Sequence, residues 1–257
     1  MGNRMRLLNS MGNLFFTILT QPIYNALVYL YEVIPGQDLG LAIILLTVLI
    51  KLILWPLTGK SLSSQKAMQE LQPKVEELKK QYKDDKEGQA KALMELYKTE
   101  KVNPFSSCLP MLIQLPVLLA LYSVLSQSIA NPEFIANLYA FVPVPEVMGS
   151  TLFGFLDLHA RSIPLAILAG AVQYVQVRQL QVSRPPKIVA KKESAKDEDM
   201  TAMMNKSMLY TMPIITVIFG STFPGGVTLY WLTSSVVSVI QQFIVFRGMK
   251  KSTDKVS

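Results

Sequence analysis

The sequence predicts an all-α membrane protein: five transmembrane helices, an amphipathic helix at the outer interface and a helical hairpin in the cytoplasm. Three observations support this fold class. Half of the 257 residues are hydrophobic, only 17% are charged and the mean hydropathy is +0.31, which is too apolar for an ordinary soluble domain. The lysines and arginines are concentrated in separate stretches. Between them run apolar segments of about 20 residues, the length that a helix needs to cross a bilayer core of roughly 30 Å.

Five segments are apolar enough to be predicted as membrane spans. The first is short, and the fourth is also short and turns into the fifth at Pro224-Gly225-Gly226. With their connecting loops they form a predicted core at 37–250, followed by a short cytoplasmic tail at 251–257. The predicted spans lie at about 40–58, 105–127, 160–178, 207–223 and 226–246.

The N-terminal segment at 1–36 contains a less apolar helical stretch at 12–34. Polar residues at Gln21, Asn25 and Glu32 interrupt its apolar residues. We therefore expect an amphipathic helix that lies in the plane of the outer interface. A sixth transmembrane span is the competing interpretation of the same stretch.

The distribution of basic residues predicts the orientation. The loop at 59–104 carries ten lysines, the loop at 178–206 carries seven basic residues, and further ones follow Phe246. The loop at 128–159 and the turn at 221–226 carry none. Because cytoplasmic loops are enriched in lysine and arginine, we place the basic regions in the cytoplasm. The N-terminus is then outside and the C-terminus inside.

The first cytoplasmic loop predicts a helical hairpin at 60–103. Its first half has apolar residues at steps of three and four, the spacing of one helix face, and its second half follows a turn at 84–88. Pro73 should begin or kink the first helix, because proline has no backbone N–H to donate. A solvated connector is the alternative interpretation of this loop.

One positive charge interrupts the first span. Lys51 stands in the run LLTVLIKLILWP, which is otherwise almost entirely apolar. A lysine at the centre of a bilayer costs roughly 2.5–3.5 kcal/mol on insertion scales, so ionisable residues in spans usually face a protein interior or a wet cavity. The alternative is that the long side chain snorkels to the interface.

Polar residues in other spans could line such a cavity. In the second, third and fifth spans they recur at steps of three, four or eight residues, which places them near one face of each helix. A single stripe of this kind is usually a helix-packing contact. Three stripes together with a buried cation predict a shared hydrophilic cavity. Its candidate residues are Lys51, Gln114, Tyr122, Gln173, Gln176, Trp231, Ser235 and Ser238.

The sequence contains no pattern typical of an enzyme or a cofactor site. Its one cysteine, Cys108, and one histidine, His159, do not form a metal-binding cluster. The second, fourth and fifth spans contain no acid, histidine or basic residue, so neither a proton relay nor an activated nucleophile is apparent at depth. We expect no enzymatic activity and no cofactor. The clustered net charge of +7 favours a membrane surface or an anionic partner over DNA.

Several long strings of the sequence resemble the YidC family of membrane protein insertases. They are AMQELQPK at 67–74, LYKTEKVNPF at 96–105, CLPMLIQLP at 108–116 and FPGGVTLYW at 223–231, followed by IQQ at 240–242. The similarity extends over about residues 15–250.

The resemblance implies the five-span fold and a multi-pass location in a bacterial cell membrane. It also implies a groove within the bilayer that is open to the cytoplasm and to lipid but closed on the outside. A basic residue, usually arginine, lies in that groove, and the matching position here is Lys51. Lysine keeps the charge but lacks the planar, multi-donor guanidinium group of arginine.

The resemblance further implies an insertase that moves short hydrophilic tails of nascent membrane proteins through the groove and releases their apolar segments into lipid. Candidate partners are the Sec translocon and the ribosome. Two other functions stay open: a small-solute channel or transporter, and a passive chaperone that works only with the Sec translocon. The hairpin residues expected to contact substrates or partners are Gln72, Pro73, Lys74, Lys98 and Lys101.

Overall fold

The computed structural model of the chain describes residues 12–83, 85–103, 109–126, 135–145, 148–182 and 195–253. The first helices are α1 (Gly12–Val33), α2 (Leu39–Ile53), α3 (Trp55–Glu70), α4 (Gln72–Gln81), α5 (Lys86–Thr99) and α6 (Leu109–Ser126). The short strands β1 (Thr151–Leu152) and β2 (Leu156–Asp157) follow, and then α7 (Ile163–Val182), α8 (Ala195–Thr222) and α9 (Gly225–Thr253).

A helix lies at each of the five predicted spans. Within the described residues, α1 and the part of α9 at Gly225–Met249 are long and apolar enough to cross a membrane alone. The pair of α2 and α3 could make a third crossing, and the apolar parts of α6 and α8 are shorter. The structure therefore shows a helical protein with two or three candidate membrane spans. Five crossings, and the outside location of the N-terminus, stay predictions.

The first predicted span differs from expectation, because it is not one straight helix. α2 and α3 meet at Leu54 and are bent by 66°. Pro56 lies in the first turn of α3, where it has no N–H to continue the hydrogen bonds of α2 and its ring excludes a straight continuation. α3 then runs to Glu70, so the expected boundary between span and hairpin at 58–60 falls inside a single helix.

The main hydrophobic core joins α1, α2, α6 and α9 near the N-terminal ends of α2 and α9. Its fully buried side chains include Tyr24, Leu27, Val28, Ile43, Leu46, Leu121, Val124, Val227 and Tyr230. Leu152 and Leu158, from the segment of the two short strands, belong to the same core. This segment therefore covers the end of the helix bundle at which α2 and α9 begin.

α1 is fastened to the loop that follows α6. Asn25 Nδ2 donates to the Asn137 carbonyl (3.1 Å), and Asn25 Oδ1 accepts from the Tyr139 N–H (2.6 Å). The Tyr31 hydroxyl accepts from the Gly149 N–H (2.6 Å). Buried polar groups are costly unless they are paired, so these contacts fix the loop on α1. Because α1 also has the length and composition of a crossing helix, its interfacial location stays a prediction.

α7 and α8 approach each other closely at two glycines. A methyl group added at Gly170 would collide with the side chain of Val217, and one added at Gly220 would lie 3.1 Å from Cβ of Ala166. Small residues allow such close packing between membrane helices, where dispersion contacts replace the hydrophobic effect.

α4 and α5 form the helical hairpin that the sequence predicts after the first span. α4 begins at Gln72 with Pro73 in its first turn, and Leu71 and Val75 are buried. Asp85 caps α5 by accepting from the Gly88 N–H (2.9 Å). The cytoplasmic location of this hairpin stays a prediction.

Candidate functional site

The ammonium group of Lys51 contacts two other helices. Lys51 lies in the last turn of α2, beside the bend, and its side chain is half-buried. Nζ donates to Ser238 Oγ of α9 (3.0 Å) and to Gln114 Oε1 of α6 (3.3 Å). Three positions that are far apart in the sequence thus meet around one positive charge.

Gln114 connects this contact to the rest of α9. Its Oε1 also accepts from Ser234 Oγ (3.4 Å), and its Nε2 donates to the Tyr230 hydroxyl. Ser238 Oγ in turn donates to the Ser234 carbonyl (2.9 Å). With its amide nitrogen directed to Tyr230, the carbonyl oxygen of Gln114 faces Lys51. We call Lys51, Gln114, Ser234 and Ser238 the lysine cluster.

The lysine cluster offers the charge only neutral oxygen acceptors. An ammonium group has three N–H donors, and two of them are used by the Gln114 amide and the Ser238 hydroxyl. Among the residues that the structure describes, no aspartate or glutamate forms an ion pair with Lys51. The neutral oxygens solvate the ammonium group of Lys51, but no acidic residue in the described part of the chain neutralises its charge.

A second polar contact lies on the adjacent position of α9. Ser235 Oγ donates to Gln173 Oε1 of α7 (3.3 Å), and Ser235 is buried. Three serines of α9 thus contact three helices: Ser238 contacts α2, Ser234 contacts α6 and Ser235 contacts α7. Five of the eight residues predicted for the cavity take part in these contacts: Lys51, Gln114, Gln173, Ser235 and Ser238.

The structure does not bring the other three predicted residues into these contacts. Tyr122 is 41% exposed, and its ring packs against Phe223 at 5.4 Å between centroids. It follows Gln114 by eight residues, which is about 80° away from the same face of a helix with 3.6 residues per turn. The side chains of Gln176 and Trp231 are half-buried and form no hydrogen bond with any residue within the described ranges.

A further polar cluster fixes the bend next to Lys51, and the sequence analysis did not identify it. Gln241 of α9 is buried, and its Nε2 donates to Thr58 Oγ1 (2.7 Å) and to the Trp55 carbonyl (3.0 Å). Thr58 is buried as well. We call Trp55, Thr58 and Gln241 the bend clasp. It ties the first turn of α3 to the helix that also carries Ser238.

Sequence reasoning also missed Tyr230 and Ser234. Both lie on the stripe that runs through Ser238 at intervals of four residues, so helical spacing could have identified them. No comparable pattern connects Gln241 with Thr58, because these two residues lie on different helices that are far apart in the sequence.

The lysine cluster lies next to the hydrophobic core. One helical turn before Lys51, Thr47 is buried and donates to the Ile43 carbonyl (2.6 Å). Beyond Thr47 lies the hydrophobic core, whereas Leu52 and Ile53 on the other side of Lys51 are exposed. The polar site thus has the buried hydrophobic core on one side and exposed apolar side chains on the other.

The hairpin residues lie on the surface of α4 and α5. Lys74 forms an ion pair with Glu100, just after α5. Pro73, Lys98 and Lys101 are exposed, and Gln72 is half-buried. Across the described part of the chain, no group of three or more His, Cys, Asp or Glu side chains could hold a metal ion.

Comparison with known proteins identifies one family. Residues 29–253 match the family described as 60Kd inner membrane protein. The chain is similar to proteins named membrane protein insertase YidC. It is 35% identical to that of Pelobacter propionicus over 233 residues, which are 90% of this chain and 39% of the relative. With that of Francisella philomiragia it shares 39% identity over 218 residues, which are 84% of this chain and 34% of the relative.

A third relative gives the same result. The protein of this name from Geobacter metallireducens is 31% identical over 241 residues, which are 94% of this chain and 39% of the relative. The chain thus spans between 34% and 39% of the length of these three relatives.

Proposed function

The chain belongs to the 60Kd inner membrane protein family, and from this membership and the lysine cluster we propose that it is a membrane protein insertase. It is a protein of the bacterial inner membrane. In the proposed activity, the polar site receives the hydrophilic tail of a substrate, and the tail crosses the membrane while the adjoining apolar segment enters lipid.

The first proposed role of the site is to replace water around the tail. Polar groups that enter hydrocarbon without partners cost several kcal/mol each. Gln114 and Ser238 beside the lysine, and Gln173 and Ser235 between α7 and α9, can exchange their present hydrogen bonds for bonds to a peptide. A tail in contact with these groups would meet a shorter apolar barrier.

The second proposed role is attraction of acidic residues in the tail. Lys51 is held by neutral acceptors, so a substrate carboxylate can supply a counter-charge. Two unit charges 4 Å apart attract by about 4 kcal/mol at an effective dielectric constant near 20, and less where water screens them. This attraction is similar to the roughly 2.5–3.5 kcal/mol that a central lysine costs. Charge attraction therefore assists transfer of the tail but does not drive it alone.

The third proposed contribution comes from local thinning of the bilayer. α2 has 15 residues, which at a rise of 1.5 Å each amount to about 22 Å. A bilayer core is roughly 30 Å thick, and short apolar helices are accommodated by thinning it. A thinner bilayer near Lys51 would shorten the path of the tail further.

The proposed driving force is the transfer of the substrate's apolar segment into lipid. Burial of apolar surface contributes roughly 25 cal/mol for each Å² removed from water. The segment would leave the site laterally, and no chemical step is required.

The proposed partners are nascent membrane proteins and the surrounding lipid, with the Sec translocon and the ribosome as further candidates. The hairpin of α4 and α5 and the basic loops are the surfaces that would meet them. The ten lysines at 59–104 are accompanied by eight acidic residues, so this surface is only weakly basic. A ribosomal contact would therefore need more than attraction to phosphates.

The observation that carries the proposal is the contact of Lys51 with acceptors from α6 and α9. The test is reconstitution of the purified protein in liposomes with a single-span substrate that has a short acidic N-terminal tail. We expect the tail to become protected from added protease above the level of empty liposomes, without release of a trapped fluorescent solute. Release of the solute would indicate a channel, and absence of protection from folded protein would contradict an autonomous insertase.

A further inference from the structure

Two aromatic rings are exposed at the tip of the β1–β2 hairpin. Phe153 is 62% exposed and Phe155 is 79% exposed, and their centroids lie 6.4 Å apart with an angle of 25° between the ring planes. Large aromatic side chains lose their hydrophobic stabilisation when they face water, so an exposed pair suggests a surface that is covered by something else.

The backbone holds these rings in a defined place. The strands are paired through Thr151 with Asp157 and Leu152 with Leu156, and the Phe155 N–H donates to the Leu152 carbonyl (3.3 Å). Phe153 has φ of 53°, in the left-handed region where glycine, asparagine or aspartate is less strained. A bulky phenylalanine at such a position is an uncommon choice for a turn that has no role beyond connection.

The tip lies at the level at which the apolar part of α2 begins. The Phe153 N–H donates to Asp38 Oδ2, and the same carboxylate caps α2 by accepting from the Leu41 N–H through Oδ1 (2.8 Å). Leu152, beside the tip, packs against Gly40 so closely that a Cβ there would collide with it. The apolar run of the first predicted span starts at these residues.

The residues that follow β2 are also bound to the bundle, at the N-terminal end of α9. The Gly225 N–H donates to the Ala160 carbonyl (2.9 Å), and the Gly226 N–H donates to the Leu158 carbonyl (2.8 Å). These glycines begin α9, one of the helices long and apolar enough to cross a membrane. The β1–β2 hairpin is thus attached to the N-terminal ends of two apolar helices, α2 and α9, that are candidates to enter a bilayer.

Exposed polar residues follow the rings along the chain. They are Asp157 in β2 and His159 and Arg161 just after it. Apolar rings beside polar groups, at the ends of apolar helices, fit the boundary between headgroups and acyl chains, where interfacial segments bury phenylalanine and other apolar side chains.

We propose that Phe153 and Phe155 insert into the lipid at the boundary between headgroups and acyl chains, in the leaflet at the N-terminal ends of α2 and α9. In the predicted orientation this is the outer leaflet. The β1–β2 hairpin is then a lipid anchor that holds the end of the bundle at which α2 and α9 begin at a fixed depth in the bilayer. This inference does not depend on insertase activity.

The experiment measures the depth of each ring position with a fluorophore that lipid bromines quench. In a Cys108→Ser background, Phe153→Cys and Phe155→Cys are labelled separately with a bimane dye. The protein is placed in nanodiscs that hold a single copy, with lipids brominated near the headgroup end or near the methyl end of the acyl chain. Ile218→Cys, on the exposed apolar surface of α8, is the lipid-facing control, and Glu76→Cys, on the surface of α4, is the aqueous control.

The anchor predicts strong quenching at both ring positions by bromines near the headgroup end, severalfold above the Glu76 position, and weaker quenching by bromines near the methyl end. Green emission without quenching would place the rings in water and overturn the inference. Blue emission without quenching would show that a protein surface covers them, which also overturns it. Phe155 has no positive φ, so the label at Phe155 still measures the depth of the hairpin if substitution of Phe153 disturbs the turn.

Discussion

The ammonium nitrogen of Lys51 on α2 lies 3.0 Å from the hydroxyl oxygen of Ser238 on α9. The amide oxygen of Gln114 on α6 approaches the same nitrogen at 3.3 Å. The lysine therefore turns toward other helices of the bundle, which favours a polar cavity over snorkelling. Its neutral partners leave the positive charge available to an incoming carboxylate.

Replacement of Gln114 tests whether this charge acts on substrates. In Gln114→Glu, a carboxylate beside Lys51 would form an internal ion pair and compete with acidic tails. We expect insertion of an acidic-tailed substrate to fall at least about tenfold, which corresponds to roughly 1.4 kcal/mol. Gln114→Leu removes both the acceptor and the donor of the amide without adding charge. It should cause a smaller loss of insertion, about fivefold if the substrate tail loses one hydrogen bond of roughly 1 kcal/mol.

Tyr122→Phe is the matched control on the same helix, because Tyr122 packs against Phe223 and is not part of the lysine cluster. Its insertion activity should equal that of the parent. Equal losses of insertion activity in Gln114→Glu and Tyr122→Phe would show that any substitution in α6 impairs insertion. They would contradict a specific role of Gln114.

The bend clasp should contribute to stability. Gln241→Leu leaves Thr58 and the Trp55 carbonyl without the amide donor in a buried site, which costs about 1–3 kcal/mol. Thermal unfolding in detergent should show a lower midpoint for this variant and for Thr58→Val. Because the two residues are in direct contact, the double variant should lose less than the sum of the single losses. Additive losses would mean that the two side chains act independently.

Close packing of α7 on α8 depends on Gly170. Gly170→Val would force a branched side chain against Val217, and overpacking of this kind typically costs about 1–3 kcal/mol. The unfolding midpoint in detergent should fall accordingly. Gly248→Ala in α9 is the control, since nothing lies within 4 Å of an added Cβ there. A midpoint that is unchanged in Gly170→Val would contradict the close helix contact.

Acid should weaken the β1–β2 segment through Asp157. The backbone N–H of His159 donates to Asp157 Oδ1 (2.9 Å) and lowers the pKa of this exposed carboxyl below its ordinary value of 3.8. A lowered pKa in the folded state contributes stability above the unfolded pKa, and this contribution is lost as the pH falls through the folded pKa. Asp157→Asn should therefore reduce the acid sensitivity of hydrogen exchange at His159 below about pH 4. An identical pH profile in parent and variant would contradict this role.

Hydropathy and helical spacing predicted the positions of the helices well, because each signal lies within one segment. The same reasoning identified Lys51, Gln114 and Ser238, since a charge or a polar stripe in an apolar helix needs an explanation. It also grouped Tyr122 with them, whereas in the structure Tyr122 packs against Phe223 and lies outside the lysine cluster, since a step of eight residues is a loose match to the helical period.

The bend at Leu54 and the bend clasp were not predicted. Pro56 was visible in the sequence, but the continuous apolar run around it suggested a single span. The contact between Gln241 and Thr58 joins residues on helices far apart in the chain, and no local pattern reports such a contact. Gln241 was noted only within a string that resembles the insertase family.

Reversal of charge at position 51, combined with reversal of charge in the substrate, is the decisive measurement. Parent, Lys51→Ala and Lys51→Glu proteins, matched for folding by their unfolding midpoints, are reconstituted with single-span substrates whose tails carry either acidic or basic residues. The parent should insert the acidic tail at least about fivefold better than the basic one, or roughly 1 kcal/mol. The preference should vanish in Lys51→Ala and reverse in Lys51→Glu. The same preference in all three proteins would contradict a role of the Lys51 charge in receiving the tail.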